Sequence, residues 1–425
     1  MGKTSVTARA KGSLRALNFF MADMQSGIGP FVGVFLLGHG WLNGAIGTVM
    51  TIGSIAGVLI TAPAGAWVDN SRNKRWMVVI SGLAAVFASS IILISQSFWP
   101  VALSQVATAV AGAAVGPAVM GITLGIYRQS GFNRQLGINQ AFNHGGNALG
   151  AALSGFLGWK FGLPAVLYLA LAFGVVSVAC VLTIPAEAID DRSARGLRSG
   201  GGSKQGASGL SVLVTSKPLL LLGITLAIFS LGNGAMLPLY AIAVVDAKQG
   251  DPAAFVAATV VIAQVTMVFA SLLAMRFIGQ RGYWPVILVS MVVLPLRAVI
   301  APYVIRSWGV VPMQVLDGIT SGLQTVAVPG LVARILNGTG RINAGQGAVL
   351  TIQGAGAALS PAIAGWIAQW RGYGMAFAAL GACGVISIVL WIAFASTLAP
   401  SRSKSAPKRV RAGKLSNVPA GSGSS

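Results

Sequence analysis

The stretch AIGTVMTIGSIAGVLITAPAGAWVDNSRNKR, Ala45 to Arg75, holds both parts of the pattern that decides the fold. From Ala45 to Val68 no residue is charged; then Asp69 and three basic residues, Arg72, Lys74 and Arg75, follow within seven positions. A helix of about 20 apolar residues crosses a hydrocarbon core about 30 Å thick. Short basic loops are held on the cytoplasmic side. Working outward, the same unit recurs along the chain. Of the 29 lysines and arginines, 24 fall in seven stretches: Lys3 to Arg15, Arg72 to Arg75, Arg128 to Arg134, Arg192 to Lys217, Arg276 to Arg281, Arg334 to Arg341, and Arg402 to Lys414. The alternate connections carry only Lys160, Lys248, Arg306 and Arg371. This asymmetry predicts both termini in the cytoplasm and an even number of spans.

Hydrophobic residues make up 55% of the 425 and charged ones 9%, a composition that suits lipid and not water. Apolar runs predict twelve helices near 17–37, 45–67, 76–95, 99–127, 138–158, 164–184, 218–243, 253–275, 283–304, 310–333, 343–367 and 373–397. They are continuously apolar, whereas barrel strands alternate every second residue. The net charge of +21 is spread over loops instead of gathered on one face, so nucleic acid is not an expected partner. No cleavable leader is evident, and the first span is expected to stay as an anchor. Cys180 and Cys383 both fall inside spans and build no disulfide framework.

The expected organisation is a six-span bundle over 1–188, a Gly- and Ser-rich cytoplasmic linker over 189–213, a second six-span bundle over 214–399 and a disordered basic tail over 400–425. The two halves repeat. Asn147 to Ser154 (NALGAALS) matches Gln353 to Ser360 (QGAGAALS) 206 residues on, and Pro30 matches Pro238 at 208. Glycine and proline interrupt span one at Gly27, Gly29, Pro30 and Gly33, and span seven at Gly232, Gly234 and Pro238. Such interruptions mark helices that bend or line a cavity.

Ionisable residues inside a membrane are costly and by default are functional candidates. Asp23 and His144 stand at similar depths in spans one and five, and together are candidates for proton exchange during transport, since histidine titrates near neutral pH. Arg297 and Asp317 stand at equal depth in the consecutive spans nine and ten, a candidate structural ion pair, with Asp317 also a transport or proton candidate. Asn139, Asn143 and Asn147 recur every four residues beside His144, a polar stripe that must face protein or water. With Gln25, Asn233, Gln314, Gln324, Gln346 and Gln353 they are the cavity candidates, and hydrogen bonding between helices is the alternative role.

The loop from Gly65 through Asp69, Arg72 and Lys74 to Arg75 is similar to the signature loop of the major facilitator superfamily, Gly, two or three apolar residues, Asp, Arg, Gly, then Arg and Lys. Asn70 stands where that pattern has a basic residue, and Arg72 where it has Gly. The resemblance implies a bacterial all-α membrane protein of twelve helices, two six-helix bundles related by a pseudo-two-fold axis. It also implies that Gly65, Asp69, Arg72, Lys74 and Arg75 form a gate, with Asp69 meeting a helix start in the other half. Drug antiporters of the family carry an arginine in span four where Gln105 stands here, and the proline-bearing glycine motif of their fifth span is only partly kept at Gly146, Gly150 and Gly155.

The expected function is secondary transport of a small organic solute by alternating access, as proton-coupled efflux, with import or facilitated diffusion of a metabolite as the alternative and a non-transporting sensor or scaffold as a third. Expected partners are the small-molecule substrate, protons and membrane lipid. The chain is expected to be a monomer in the cytoplasmic (inner) membrane, and no metal or cofactor is expected. No phosphate-binding Gly-x-x-x-x-Gly-Lys loop exists to drive a nucleotide pump. His39 and His144, the only two histidines, have no nucleophile or metal set around them, so enzymatic chemistry is not expected.

Overall fold

The computed structural model describes residues 3–26, 29–162, 164–190, 216–249, 252–336 and 342–398, nearly all helical and without a strand among them. The side chains of Asp23, Gln25 and Asp69, the linker beyond 190 and the basic tail from 399 lie outside the described residues. Helix is the only open-ended way for a chain in lipid to satisfy its own backbone groups. The first half comprises Lys3–Ser26 with Gly29–Gly38 (span one), Asn43–Asn70 (two), Lys74–Ile94 (three), Phe98–Gly112 running on from Val115 (four), the later part of Val115–Phe161 (five) and Pro164–Leu182 (six). In the second half stand Lys217–Asn233 with Met236–Asp246 (seven), Pro252–Arg281 (eight), Tyr283–Ile300 (nine), Val310–Ile335 (ten), Ile342–Arg371 (eleven) and Tyr373–Ala393 (twelve).

Among the described residues ten helical segments are long and apolar enough to cross a membrane, where the sequence predicts twelve. The two that miss are spans one and five. Span one opens with the basic run Lys3 to Arg15, and 27–28 lie outside the described residues, while span five is diluted by Asn139, Asn143, His144 and Asn147. Spans four and five share one long helix that turns sharply at Arg128, whose φ of 53° and ψ of −179° lie in a region few non-glycine residues enter. Its guanidinium pairs with Asp190 at 3.6 Å, and Asp190 N donates to Gly125 O at 3.1 Å, so the chain leaving span six is tied to this corner.

The outer surface is covered by apolar side chains such as Leu59, Phe87, Ile94, Phe269, Leu272 and Val299, a patchwork that only lipid would cover. Exposed Trp67 and Trp76 lie at the span ends nearest the amino terminus, and Trp99, Trp159, Trp308 and Trp370 at the opposite ends. These are the two aromatic belts of a membrane-spanning bundle.

The main helix pairings in one half have their mates in the other. Span one packs on five and six as seven packs on eleven and twelve; two packs on four as eight packs on ten; three packs on four and six as nine packs on ten and twelve. Across the halves, two meets eleven as eight meets five. Glycine permits the closest of these approaches. A Cβ added at Gly146 would lie 1.9 Å from Phe19 O, and one at Gly356 2.1 Å from Ala227 O, so span five lies on span one as span eleven lies on span seven. The turns that follow the two spans also match, with Gly162 (φ +82°) and Gly372 (φ +82°) supplying the left-handed residue that ends each helix.

Span seven breaks at Gly234 and Ala235 as its glycines predict. The break is stapled by Ser360 of span eleven, whose Oγ donates to Leu231 O at 2.5 Å and accepts from Ala235 N at 2.8 Å. Backbone groups freed by the interruption thus stay satisfied inside the membrane.

Candidate functional site

Beside that break lies a cavity of about 350 Å³, within the range of small-molecule sites. Phe229, Ser230 and Asn233 reach it from span seven, Thr320, Ser321, Gln324 and Thr325 from span ten, and Gln346 and Gln353 from span eleven. Apolar Val328, Val332, Val349 and Leu350 complete the wall. Of the cavity candidates, Asn233, Gln324, Gln346 and Gln353 line this space. The span five carboxamides do not; they are used inside the first half. Asn139 Nδ2 donates to Thr123 Oγ1 at 3.0 Å and its Oδ1 accepts from Gln135 Nε2 at 2.7 Å, while Asn143 Nδ2 reaches Asn18 O at 3.4 Å. Asn147 Nδ2 donates to Asn143 Oδ1 at 3.3 Å. Gln314 is fully buried and does not line the cavity, and neither of its amide atoms has a hydrogen-bond partner among the described residues.

The structure brings Arg297 and Asp317 together. Arg297 Nη1 lies 2.6 Å from Asp317 Oδ1 and also donates to Asn233 Oδ1 at 2.9 Å. Arg297 is completely buried, whereas the Asp317 side chain keeps 17% of its exposure. A buried guanidinium without a counter-ion would cost several kcal/mol, which the carboxylate and the amide oxygen offset. Asn233 therefore has two roles: it holds the ion pair and forms part of the cavity wall.

His144 is not isolated. Its Nδ1 stands 2.9 Å from Gln264 Oε1 on span eight, a polar bond between the two halves. Sequence reasoning missed Gln264, a single amide in an apolar run with no partner visible until the halves pack. It also missed Ser360, whose small polar side chain reads as ordinary helix packing. Among the described residues no group of three His, Cys, Asp or Glu gathers as metal ligands would.

Of the gate candidates, Lys74 is buried and its Nζ donates to Val68 O at 3.1 Å and Ser71 O at 2.9 Å, capping the end of span two. Arg75 Nη2 donates to Leu182 O at 2.6 Å and Nε to Val181 O at 3.3 Å, capping span six. Both cations meet the negative end of a helix within their own half. Arg72 is exposed, and a Cβ added at Gly65 would meet nothing within 4 Å.

Contact between the halves is concentrated at the face opposite the termini. There Asn43 Nδ2 donates to Tyr373 Oη (3.0 Å), which donates to Asp246 Oδ2 (3.0 Å), and Gly44 N donates to Gln369 Oε1 (3.0 Å). Trp366 Nε1 donates to Thr48 Oγ1 at 3.1 Å and Ala362 N to Thr51 Oγ1 at 3.0 Å. Gly47 sits so close to Pro361 O that an added Cβ would lie 2.1 Å away. Toward the termini, the cavity wall continues through Pro329, Val332 and Gln346 to that face. The two halves close over the far side and part toward the terminus-bearing side.

Comparison with known proteins agrees with this architecture. A model of the Major Facilitator Superfamily matches residues 15–308. Proteins named as uncharacterized MFS-type transporters in two strains of Mycobacterium tuberculosis are each 34% identical over 390 residues, 91% of this chain and 93% of theirs. Among solved structures, the nucleoside transporter NupG superposes with a TM-score of 0.74 at 14% identity, over 91% of this chain and 98% of that one. A bacterial homologue of the human lysosomal transporter Spinster, in an inward-facing and occupied conformation, gives 0.67 at 15%, over 93% and 97%. At such identities these structures support the fold alone. Helix composition, paired halves and a family match across most of the chain converge: the chain belongs to the Major Facilitator Superfamily, as a multi-pass membrane transporter of solutes and not an enzyme.

Proposed function

We propose that the chain exports a small polar solute in exchange for protons, by rocking of the bundles 1–188 and 214–399 about the cavity between spans seven, ten and eleven. The observation that carries this reading is the Asp317–Arg297–Asn233 cluster, which places a partly accessible carboxylate one hydrogen-bond relay from the cavity wall. Protonation of Asp317 would release Arg297 and loosen its hold on Asn233, so that solute and proton occupancy bias the same element. In this scheme the terminus-bearing face is cytoplasmic, in keeping with its basic loops. The form described is then open to the cytoplasm and loads solute there. The protein acts as a monomer in the cytoplasmic membrane, and the loop Gly65 to Arg75 acts on the gate through the helix ends that Lys74 and Arg75 cap. His144, bonded to Gln264 across the halves, is the second proton candidate, and Asp23, at a similar depth in span one, is its expected companion.

Reconstituted vesicles test the coupling. Solute flux should follow an imposed pH gradient, and Asp317→Asn should remove that dependence. Because the single change strands Arg297, the double change Arg297→Met with Asp317→Leu serves as the charge-balanced control and should be equally uncoupled. Gradient-driven flux persisting in both would sink the coupling role of Asp317. The uncharged lining of the cavity favours one further reading, facilitated diffusion or import of a metabolite, which predicts flux that ignores the pH gradient in the unmodified chain.

A further inference from the structure

Two carboxamides in the cavity wall have their orientation set by their hydrogen-bond partners. Arg297 can only donate, so the atom of Asn233 facing it at 2.9 Å is the oxygen, and the Asn233 NH₂ is left for the cavity. Gln324 is held in the opposite sense. The Ser290 hydroxyl donates to Ile287 O at 2.7 Å and accepts from Gln324, whose Nε2 stands 3.2 Å away. The Gln324 oxygen is left without a partner among the described residues and opens on the cavity. Gln353 makes no hydrogen bond among the described residues and offers both a donor and an acceptor, and the hydroxyls of Ser230 and Ser321 stand beside it on the wall. No described residue of the lining is ionisable, and Arg297 and Asp317, which Asn233 links to the wall, neutralise each other at 2.6 Å.

From these fixed amides we infer that the cavity takes a neutral, multiply hydroxylated solute, the size of a monosaccharide to a nucleoside. A charged solute would meet no counter-ion among the described residues of the lining, at a large desolvation penalty. A wholly apolar solute would leave the Asn233 donor and the Gln324 acceptor unpaired. Hydroxyl groups satisfy both, since each can donate and accept. A volume of about 350 Å³ stands at the small end of the range for small-molecule sites, which sets the size. The inference rests on the transport reading of this cavity but not on its coupling or direction.

Equilibrium binding to the full-length chain in nanodiscs tests it without flux. The probes are glucose, inositol and uridine as neutral hydroxylated solutes, tetraphenylphosphonium as a cation, and succinate as an anion. At least one neutral probe should bind saturably in the millimolar range or tighter, and neither ion should compete with it. Gln353→Ala, which removes no contact to another described polar group, should weaken that binding at least about tenfold, and Asn233→Leu should abolish it. Melting curves identify any variant that fails to fold, and Gln353→Ala keeps the test valid if Asn233→Leu does. Binding of the cation or the anion in place of every neutral probe overturns the inference. So does the absence of neutral binding, or neutral binding that Gln353→Ala leaves unchanged. Neutral binding together with flux that ignores a pH gradient supports the inference while removing proton-coupled export.

Discussion

Arg297 is wholly buried and held by Asp317 at 2.6 Å and Asn233 at 2.9 Å. Its Nε and Nη2 have no hydrogen-bond partner among the described residues, so the ion pair carries most of what keeps the guanidinium tolerable there. Breaking a buried pair from one side leaves the other charge uncompensated, whereas replacing both members with apolar groups of similar volume is often neutral. Asp317→Asn should therefore lower stability by about 3 kcal/mol, a little below the value for a fully buried pair because the carboxylate keeps some exposure, and adding Arg297→Met should restore most of it. Thermal denaturation in detergent, compared across the two singles and the double, gives the coupling directly. Equal melting of all four proteins would mean that the pair contributes nothing to stability. The pairing of Arg297 and Asp317 was legible in the sequence because their depths on consecutive antiparallel helices agree. Asn233 as third member was not, since span seven reaches them only through tertiary packing.

At the scale of the element, helices on repeat-related spans pack closely through glycine. Gly146 lies against Phe19 O and Gly356 against Ala227 O, where an added methyl would sit at 1.9 and 2.1 Å. Such a contact can be relieved only by moving a backbone, so Gly146→Ala and Gly356→Ala should each destabilise by about 1–3 kcal/mol. Gly347→Ala on span eleven meets nothing within 4 Å and should be neutral or stabilising by about 0.5–1 kcal/mol, since alanine favours helix. Apparent melting temperatures of the three variants would decide, and a Gly356→Ala protein as stable as Gly347→Ala would refute the close-packing argument. The repeat of NALGAALS in QGAGAALS already singles out these two helices in the amino-acid sequence. What it hides is the difference in use. Ser360 staples the break in span seven, while the hydroxyl of its repeat mate Ser154 is buried with no hydrogen-bond partner among the described residues. A short motif repeats in both halves, but the backbone it meets does not.

For the whole molecule, the far-side seal is the joint that would have to open in the proposed rocking of the two bundles. Thr51 Oγ1 accepts from Ala362 N at 3.0 Å, which brings spans two and eleven within the range a disulfide can bridge. In a background with Cys180→Ser and Cys383→Ser, the pair Thr51→Cys and Ala362→Cys should cross-link on oxidation and stop solute flux, with recovery on reduction. Flux that continues through a complete cross-link would show that this seal does not part during transport. The polar contacts at the seal are all between neutral groups, apart from Asp246 beneath Tyr373. Net hydrogen-bond contributions of about 0.5–1.5 kcal/mol suit a joint that must break and re-form.

Lipid admits so few backbone solutions that the sequence alone determined the helical class, the alternation of spans and loops and the two repeated halves. Each of those properties is read along one chain segment at a time. Only the tertiary structure decided which polar groups share a space. It turned the asparagine stripe of span five inward upon its own half, set Lys74 and Arg75 on helix ends, and joined His144 to Gln264. It also gathered Asn233, Gln324 and Gln353 from three spans around one cavity. A carboxamide has the same hydropathy whether it braces two helices or faces a solute, and its role is set by the partners that packing brings within about 3 Å.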